Sequence, residues 1–533
     1  MVPDTSSLVA PLRRIRHNLE RCVAIDTRTL AAFRVVAGLL ILADVILRSR
    51  NFWFFYTDEG VVPRSHAQAV TADNAFSFFH LTTDPTLIGL LMVVHVLVAI
   101  QLIVGYKTRL ATILSFLFVI SLDYHNPFIT SYADVLFRLL LFWAIFLPLG
   151  ERFSIDAVHR DRASRPEIAS VASAFILGQM VYMYFLNGFH KTESELWTTG
   201  EAAPLVLGRD DITFLFGEVA REFPTLLTAG GLIWFIIMLT SPLLILLVGR
   251  LRLLLMTFYV GGHLSFALTV RIGAFAYVAL AGLLLFVQSP IWRDAKTILD
   301  RVGVDYRAGY ARLRNLERIA HATPRLELPG ETQLQVRRQL YTLSIVTIVV
   351  VVLLFSVGPY LPLGPITDEN APHKQQIEET ANGYMIDQPD WTVFAPNPGT
   401  NDRYHVFAAR TTDGEFLDVY NDRPLTFDRP HDELQKQYGT YRERFYMNSV
   451  RSAGDHSNTP VLLGEHICET YEEEYGIELD TMKMYSVSET ITLETLDTPE
   501  ERDNSTFYHH SYACGDEEPE EFDLPEVLGD RAP

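Results

Sequence analysis

The chain has 533 residues, 49% of them hydrophobic, and a formal net charge of −20 at pH 7. Residues 361–533 hold 12 Lys and Arg against 37 Asp and Glu, whereas residues 1–360 hold 32 against 27. The strongly acidic last third argues against nucleic acid as a partner and predicts a high-salt exterior, and therefore a halophilic host. No Cys/His spacing typical of zinc occurs, so no metal is expected; a calcium site in the acidic part is an alternative that lacks EF-hand spacing.

Apolar runs dominate the first two thirds, and a bilayer crossing takes ~20 helical residues. Runs 108–124 and 134–150 are short for a crossing, which leaves re-entrant segments as an alternative there. The first run contains Arg34 and Asp44 and has no cleavage-like end, so it is not a secretory signal. The pattern predicts a multi-pass α-helical membrane protein with about nine crossings, near residues 29–48, 86–105, 108–124, 134–150, 167–188, 224–248, 251–270, 272–289 and 340–360.

The orientation in the membrane follows from the Lys and Arg residues of the loops. With the N-terminus inside, the inside segments hold 23 Lys and Arg and the outside loops hold 7. This bias predicts a cell-membrane protein with a cytoplasmic N-terminus and an extracellular C-terminal domain. The predicted parts are a cytoplasmic segment 1–28, a transmembrane domain 29–290, a basic cytoplasmic loop 291–338, a last helix 339–360, an extracytoplasmic β-rich domain 361–515 and a disordered acidic tail 516–533.

Within the predicted extracytoplasmic domain the residue pattern changes to that of strands. Residues 412–414 (TDG) predict a hairpin turn, and residues 482–496 alternate as a half-buried strand does. Residues 431–450 have the pattern of an amphipathic helix. We expect a β-rich module with a helix packed on it.

Three cysteines occur in the chain: Cys22, Cys468 and Cys514. The last two fall in the predicted extracytoplasmic domain, where a disulfide is permitted. The alternatives are a Cys468–Cys514 bond and two buried thiols.

Ionisable side chains inside membrane segments are costly, so they are candidates for function. Asp123, His125 and Lys191 are predicted near the outer face, and His263 lies ~10 Å deeper than Arg271 by helical rise. One cavity in the outer leaflet could therefore contain them. The structural alternatives are a Lys191 that reaches the headgroups and a His263 bonded to helix backbone. The i, i+4 spacing of Asp134 and Arg138 predicts an ion pair.

Four stretches carry a family resemblance. GQMVYMYFLNGFHKTESELWTTG (178–200) resembles the vitamin K-dependent gamma-carboxylase family, whose pattern is Gly-Gln, an apolar run, Gly-x-Lys-Lys, a spacer and Trp-x-x-Gly. HLSFALTVRIGAFAY (263–277) shares a His followed by Ile-Gly, Phe and Tyr. IDTRTLAAFRVVAGLL (25–40) is typical of the wider horizontally transferred transmembrane (HTTM) family, and QPDWTVFAPNP (388–398) is typical of prokaryotic members. The resemblance covers residues 20–290.

The resemblance implies a carbon–carbon lyase that couples oxidation of a reduced naphthoquinone to carboxylation of glutamate. The cofactor would be reduced vitamin K or a menaquinone-type lipid quinone, with oxygen and carbon dioxide as co-substrates. An extracytoplasmic protein would supply the glutamate. The family's catalytic base matches Lys191, and His190 stands where the family has another lysine. Desolvation disfavours a charged amine, and a charged neighbour acts in the same direction, so a lysine in such a place can serve as a base.

Further residues are expected to complete the quinone site. His263 would hydrogen-bond a quinone oxygen or stabilise an anionic oxygen. Trp197 and Tyr277 would stack on a flat ring, although packing is the alternative for both. Asp123 and His125 are expected in the same outer cavity.

The chain departs from the family pattern at one place. The animal carboxylase has an Asn-His pair before a Ser-Tyr, and Ile129 and Thr130 stand there in this chain. His125 is a candidate substitute. The departure leaves two alternatives open: another quinone-linked chemistry, or a non-enzymatic membrane protein that presents the acidic domain. A transporter is less favoured, since the sequence shows no inverted repeat.

Overall fold

A computed structural model describes most of the chain. It covers residues 6–303 other than 73 and 161, 379–453 and 458–515, together with 305, 320–324, 335–336, 339–347, 350, 523–524 and 531. The predicted last helix 339–360 lies half outside these residues, as does most of the predicted loop 291–338. The predicted tail 516–533 lies outside them except for three positions.

Helices form the first part of the structure. A Pro or a capping side chain starts several of them: Asp26 caps α2, and Pro85 follows the cap Asp84 in α5. The principal described helices are α1 (Ser6–Val23), α2 (Thr27–Ser49), α3 (Phe52–Tyr56), α4 (Arg64–Ala69), α5 (Pro85–Val104), α6 (Thr108–His125), α7 (Tyr132–Ala144), α8 (Ile155–Val158), α9 (Val171–Lys191), α10 (Glu195–Thr199), α11 (Ala202–Leu207), α12 (Gly217–Arg221), α13 (Pro224–Leu239), α14 (Leu243–Leu246), α15 (Arg250–Thr269), α16 (Phe275–Leu284), α17 (Ser289–Val302), α18 (Tyr441–Arg451) and α19 (Thr459–Tyr475).

Within the part of the chain that the structure describes, four helices are long and apolar enough to cross a membrane: α2, α5, α9 and α15. A fifth span results if α16 and α17, which are bent by 99° at their junction, count as one. The predicted run 224–248 is interrupted after Leu239, because Pro242 cannot continue a helix. The run 134–150 ends as a helix at Ala144. Four or five spans are thus supported, and nine crossings stay a prediction.

The long helices bury polar side chains and expose apolar ones. On α5, the side chains of Leu90, Val93 and Leu97 are more than half exposed, whereas His95 is fully buried. This arrangement is the reverse of that on a surface helix in water, and an apolar exterior of this extent suits contact with lipid. The membrane-embedded character predicted from hydropathy is therefore supported by the packing.

A five-stranded antiparallel sheet forms the core of the C-terminal domain, in the order β5 (Arg423–Pro424), β4 (Phe416–Asp418), β3 (Asn401–Thr411), β6 (Leu479–Thr490) and β7 (Asn504–Ala513). Strands β3 and β6 pair along their whole length, from Asn401 opposite Thr490 to Thr411 opposite Leu479. A separate two-stranded ladder joins β1 (Ile25–Asp26) and β2 (Glu167–Ile168) in the membrane domain.

The β-rich character of the C-terminal domain is confirmed, with corrections of detail. The turn at residues 412–414 connects β3 and β4, and Gly414 has the positive φ of 86° that it requires. The strand predicted over 482–496 ends at Thr490. The helix predicted over 431–450 is a 3₁₀ turn followed by α18, with Gly439 between them.

The predicted disulfide is present between Cys468 and Cys514, with 5.7 Å between the Cα atoms. It joins α19 to the end of β7, so it fastens a helix to the edge of the sheet. Cys22 is a free thiol.

The β domain covers one end of the helix bundle. Arg442 of α18 pairs with Asp44 near the end of α2 and with Asp134 at the start of α7. At the opposite end, Arg252 of α15 donates to the backbone carbonyl of Cys22. The helix ends that contact the β domain are those predicted to face outside.

Candidate functional site

One face of α9 carries a line of buried polar groups that ends at Lys191. The helix begins at a capping box formed by Ser170 and Ser173. Tyr184, Asn187 and Lys191 follow at spacings of three and four residues, which places them on one face. All three are buried, with Lys191 only 1% exposed.

The Lys191 amine is held by neutral groups. Its Nζ lies 2.8 Å from Oδ1 of Asn187 and 2.6 Å from the backbone carbonyl oxygen of Val393, and it donates to both. The same Nζ lies 4.2 Å from the ring centroid of Trp197. Among the described residues no carboxylate lies within ion-pair distance of Lys191. The amine is therefore fixed in position without a counter-charge.

The segment that covers Lys191 comes from the C-terminal domain. Residues 388–398, here called the covering segment, supply the Val393 carbonyl to Lys191 and, at 3.0 Å, to the Asn187 amide. The indole N–H of Trp197 donates to the carbonyl of Phe394 at 2.8 Å. Water is thus excluded from the lysine by backbone that is distant in sequence, and not only by the loop that follows α9.

His263 lies on α15 against the same face of α9. Its Nε2 is 2.7 Å from the Tyr184 hydroxyl. Its Nδ1 is buried and has no hydrogen-bond partner among the described residues. The ring stands among aromatic side chains, with centroids 5.4 Å from Trp234 and 6.0 Å from Phe275. Lys191 and His263 therefore flank one helix face about two turns apart, since Tyr184 lies seven residues before Lys191.

A cavity of about 160 Å³ lies between the helix bundle and the β domain, and neither Lys191 nor His263 lines it. Val393 and Phe394 of the covering segment form one side of it, and Phe275 of α16 forms another. The cavity therefore touches the residue that binds Lys191 and a residue that packs on His263. Its remaining wall is aromatic and cationic, formed by Ser131, Tyr132, Ala133, Arg209, Ile212, Arg271, Ile272, Tyr441, Arg444 and Phe445.

The structure places Asp123 in a different cluster. Its carboxylate is 2.6 Å from Arg48, within a largely buried cluster of three arginines and three aspartates: Arg48, Arg138, Arg442, Asp44, Asp123 and Asp134. The predicted ion pair between Arg138 and Asp134 is wrong. Arg138 lies 3.8 Å from Asp123 instead, because Arg48 and Arg442 occupy the carboxylate of Asp134.

The other predicted residues divide between the site and its surroundings. Trp197 is in the site, against Lys191. The Nε2–H of His125 donates to the backbone carbonyl of Tyr56, 3.1 Å away, and His125 belongs with the charge cluster. Tyr277 is 53% exposed on the outside of α16. His190 is half-buried, and its ring lies edge-on to the neighbouring Phe189.

The position of the family's Asn-His pair lies at the rim of the cavity. Ile129 is buried, and Thr130 bonds back to Pro127 through its hydroxyl. The next residues, Ser131 and Tyr132, line the cavity. In place of the polar pair implied by the resemblance, the rim has the apolar Ile129 and a threonine, Thr130, whose hydroxyl bonds its own loop.

Sequence reasoning missed several residues of the site. Asn187 and Tyr184 could have been found, because they lie four and seven residues before Lys191 on the same helical face. Val393 offers only a backbone carbonyl, for which no side-chain signal exists. Arg271 and Arg444 meet across 173 residues of chain, a distance that no local pattern spans.

Comparison with known proteins identifies a family. The family model of the HTTM domain matches residues 23–292, which include Lys191 and His263. No curated protein and no solved structure matches the chain significantly. The match covers half of the chain and all of its membrane helices up to α16, so this membrane protein belongs to the HTTM family.

Proposed function

We propose that the protein is a quinone-dependent carboxylase of the cell membrane that uses Lys191 as its base and carboxylates glutamate of an extracytoplasmic protein. The observation that carries the proposal is the placement of Lys191, which is buried, held by neutral acceptors and bonded to Val393, a residue that lines a cavity. Burial disfavours the charged form of an amine, and only the neutral form accepts a proton.

His263 supports a quinone as the cofactor. Its buried Nδ1 has no partner among the described residues, and the aromatic rings of Trp234 and Phe275 stand around it. An aromatic quinone with hydrogen-bonding oxygens fits these groups, and the apolar exterior of the helices gives a lipid quinone a route from the bilayer. When bound, the reduced quinone supplies, together with oxygen, the oxidative driving force for carboxylation. His263 would orient the quinone through a hydrogen bond from its imidazole, which the Tyr184 hydroxyl holds in place.

A second candidate function is oxidation of a quinol coupled to a reaction other than the carboxylation of glutamate. The cavity rim favours this second function, because Ile129 and Thr130 stand there in place of the family's Asn-His pair. This function shares the base and the quinone contacts, and it differs only in the product.

The test uses the full-length protein in lipid nanodiscs, with reduced naphthoquinone, oxygen, labelled bicarbonate and a glutamate-containing peptide. Quinone epoxide and labelled peptide are measured separately. We expect both products from the wild type, and a loss of at least ~100-fold in Lys191→Ala, because general bases contribute about that much. Lys436→Ala serves as the control, since the Lys436 side chain is 58% exposed in the β domain.

The outcomes separate the candidates. Epoxide without label, lost in Lys191→Ala, would establish the second function. Neither product from well-folded wild-type protein would contradict both and favour a non-enzymatic membrane protein that presents the acidic domain.

A further inference from the structure

Three arginine side chains face the cavity beside Lys191: Arg209, Arg271 and Arg444. Asp211 pairs with Arg209 at 2.8 Å and with Arg444 at 2.7 Å. One carboxylate therefore serves two of the three guanidinium groups. The cavity wall carries more positive than negative charge, although the domain around it is strongly acidic.

Arg271 uses only one of its guanidinium nitrogens in hydrogen bonds to described residues. Its Nη1 donates to the backbone carbonyl of Gln435 at 2.7 Å and to the side-chain carbonyl of the same residue at 3.2 Å. In the described part of the chain no carboxylate lies within ion-pair distance of Arg271. Glu443 lies in its field but accepts from the Gly439 N–H at 2.8 Å and from the Tyr420 hydroxyl at 3.2 Å.

The geometry of these groups selects a planar anion. Both contacts of Arg271 come from Nη1, so its Nε and Nη2 remain for a ligand. These two donors match the two oxygens of a carboxylate, one of the anions that a guanidinium fork binds through two parallel hydrogen bonds. Side chains of Arg209 and Arg444 retain 11% and 15% exposure, so they also contribute positive potential at the cavity.

We infer that this cavity binds a carboxylate, with Arg271 as its charged contact. A glutamate side chain of a peptide and a free dicarboxylate present the same chemistry to it. The volume of about 160 Å³ accommodates several non-hydrogen atoms. Val393 lines the cavity and bonds Lys191, so it separates the cavity from the lysine. That the bound carboxylate is the glutamate that reacts therefore rests on the proposed function.

The test measures binding without quinone, so that it does not depend on catalysis. Calorimetry on full-length protein in neutral-lipid nanodiscs uses acetyl-Ala-Glu-Ala-amide, its glutamine counterpart and glutarate. We expect the glutamate peptide to bind and the glutamine peptide to bind at least about tenfold more weakly. Arg271→Gln should weaken the glutamate peptide by a similar factor, and Arg271→Lys by less, because it keeps the charge without the fork.

One further variant is a charge control, and another fills the cavity without changing its charge. Arg250→Gln also removes one positive charge, but at the first residue of α15 and not in the turn after this helix, where Arg271 lies. The Arg250 side chain is 76% exposed and pairs with Asp294, so binding should not change. Ala133→Leu adds volume to the cavity wall at a buried position and leaves the charges unchanged, so it should abolish binding even if Arg271→Gln folds poorly.

The results distinguish the ligand sources and the two proposals. Tight glutarate binding that Arg271→Gln removes would support carboxylate recognition with a free acid as the ligand. Equal binding of the glutamate and glutamine peptides, or wild-type binding by Arg271→Gln, would overturn the inference. Peptide binding is measured without quinone, so binding by a wild type that forms no carboxylated product would support the carboxylate site and contradict only the proposed function.

Discussion

At the scale of single residues, the site depends on buried polar groups that hold one another. Tyr184 links two helices, because its hydroxyl on α9 lies 2.7 Å from Nε2 of His263 on α15. Both side chains are almost fully buried, with 3% and 0% exposure. A buried polar group that loses its partner bears its whole desolvation penalty, so this hydrogen bond fixes the orientation of the imidazole.

Tyr184→Phe removes only the hydroxyl and leaves both nitrogens of His263 without a partner. We expect the free energy of unfolding to fall by about 1–3 kcal/mol, and reduced-quinone binding to weaken in parallel. Thermal unfolding in nanodiscs and quinone titration measure the two effects. Tyr277→Phe removes a hydroxyl from a half-exposed tyrosine of α16 and should change neither. Equal behaviour of the two variants would show that Tyr184 does not position His263.

At the scale of elements, the turn between α15 and α16 brings the membrane domain to the β domain. Gly273 has a φ of 64°, in the left-handed region that favours glycine. A Cβ added there would overlap the ring of Tyr441, the first residue of α18. The glycine of the family motif therefore serves two demands at once, a backbone conformation and a close approach of another domain.

Gly273→Ala should lower the free energy of unfolding by about 2 kcal/mol or more, since backbone strain and overpacking add. The loss should appear in thermal unfolding as a lower transition temperature. Gly261→Ala on α15 is the matched control, because nothing lies within 4 Å of its added Cβ and alanine favours a helix. A neutral effect of Gly273→Ala would mean that α18 does not pack on this turn.

The sequence predicted elements better than it predicted their partners. Runs of apolar residues located α2, α5, α9 and α15 to within a few residues, because hydropathy and helix length are local properties. The charge cluster could not be predicted, since Arg442 reaches Asp44 and Asp134 from another domain. In the site, the motif identified Lys191 and Trp197, whereas the residues of the covering segment indicated a family resemblance and gave no sign of their contact with the lysine.

At the scale of the whole molecule, buried ion pairs join the membrane domain to the β domain. Asp210 and Asp211 follow α11, and they accept from Arg429, Arg444 and Arg502 of the β domain. Asp402 of β3 lies among them, 2.6 Å from Arg502, and it accepts from the Asp211 N–H at 2.9 Å. Several carboxylates and guanidinium groups thus share one dry interface, so the docking of the two domains depends on their protonation.

Two members of this network differ in their titration. Burial raises the pKa of Asp402 to about 7, and the carboxylates of Asp211 and Asp210 act in the same direction. Burial alone would also raise the pKa of Asp211, but the guanidinium groups of Arg209 and Arg444 hold it at about 2. Asp402 is therefore the group that changes charge near neutral pH.

The stability of the whole molecule should depend on pH through Asp402. Between pH 3.8, where a free aspartate titrates, and about pH 7, the folded protein keeps a proton on Asp402 that the unfolded chain releases. The unfolded state binds fewer protons in this range, so the contribution of Asp402 to stability falls as the pH rises. Asp402→Asn cannot titrate, and we expect its unfolding temperature to decline less than that of the wild type between pH 5 and pH 8. Asp413→Asn, at the exposed β3–β4 turn, should keep the wild-type profile. Parallel profiles for wild type and Asp402→Asn would mean that Asp402 is ionised throughout, held by Arg502 alone, and that the interface is insensitive to pH in this range.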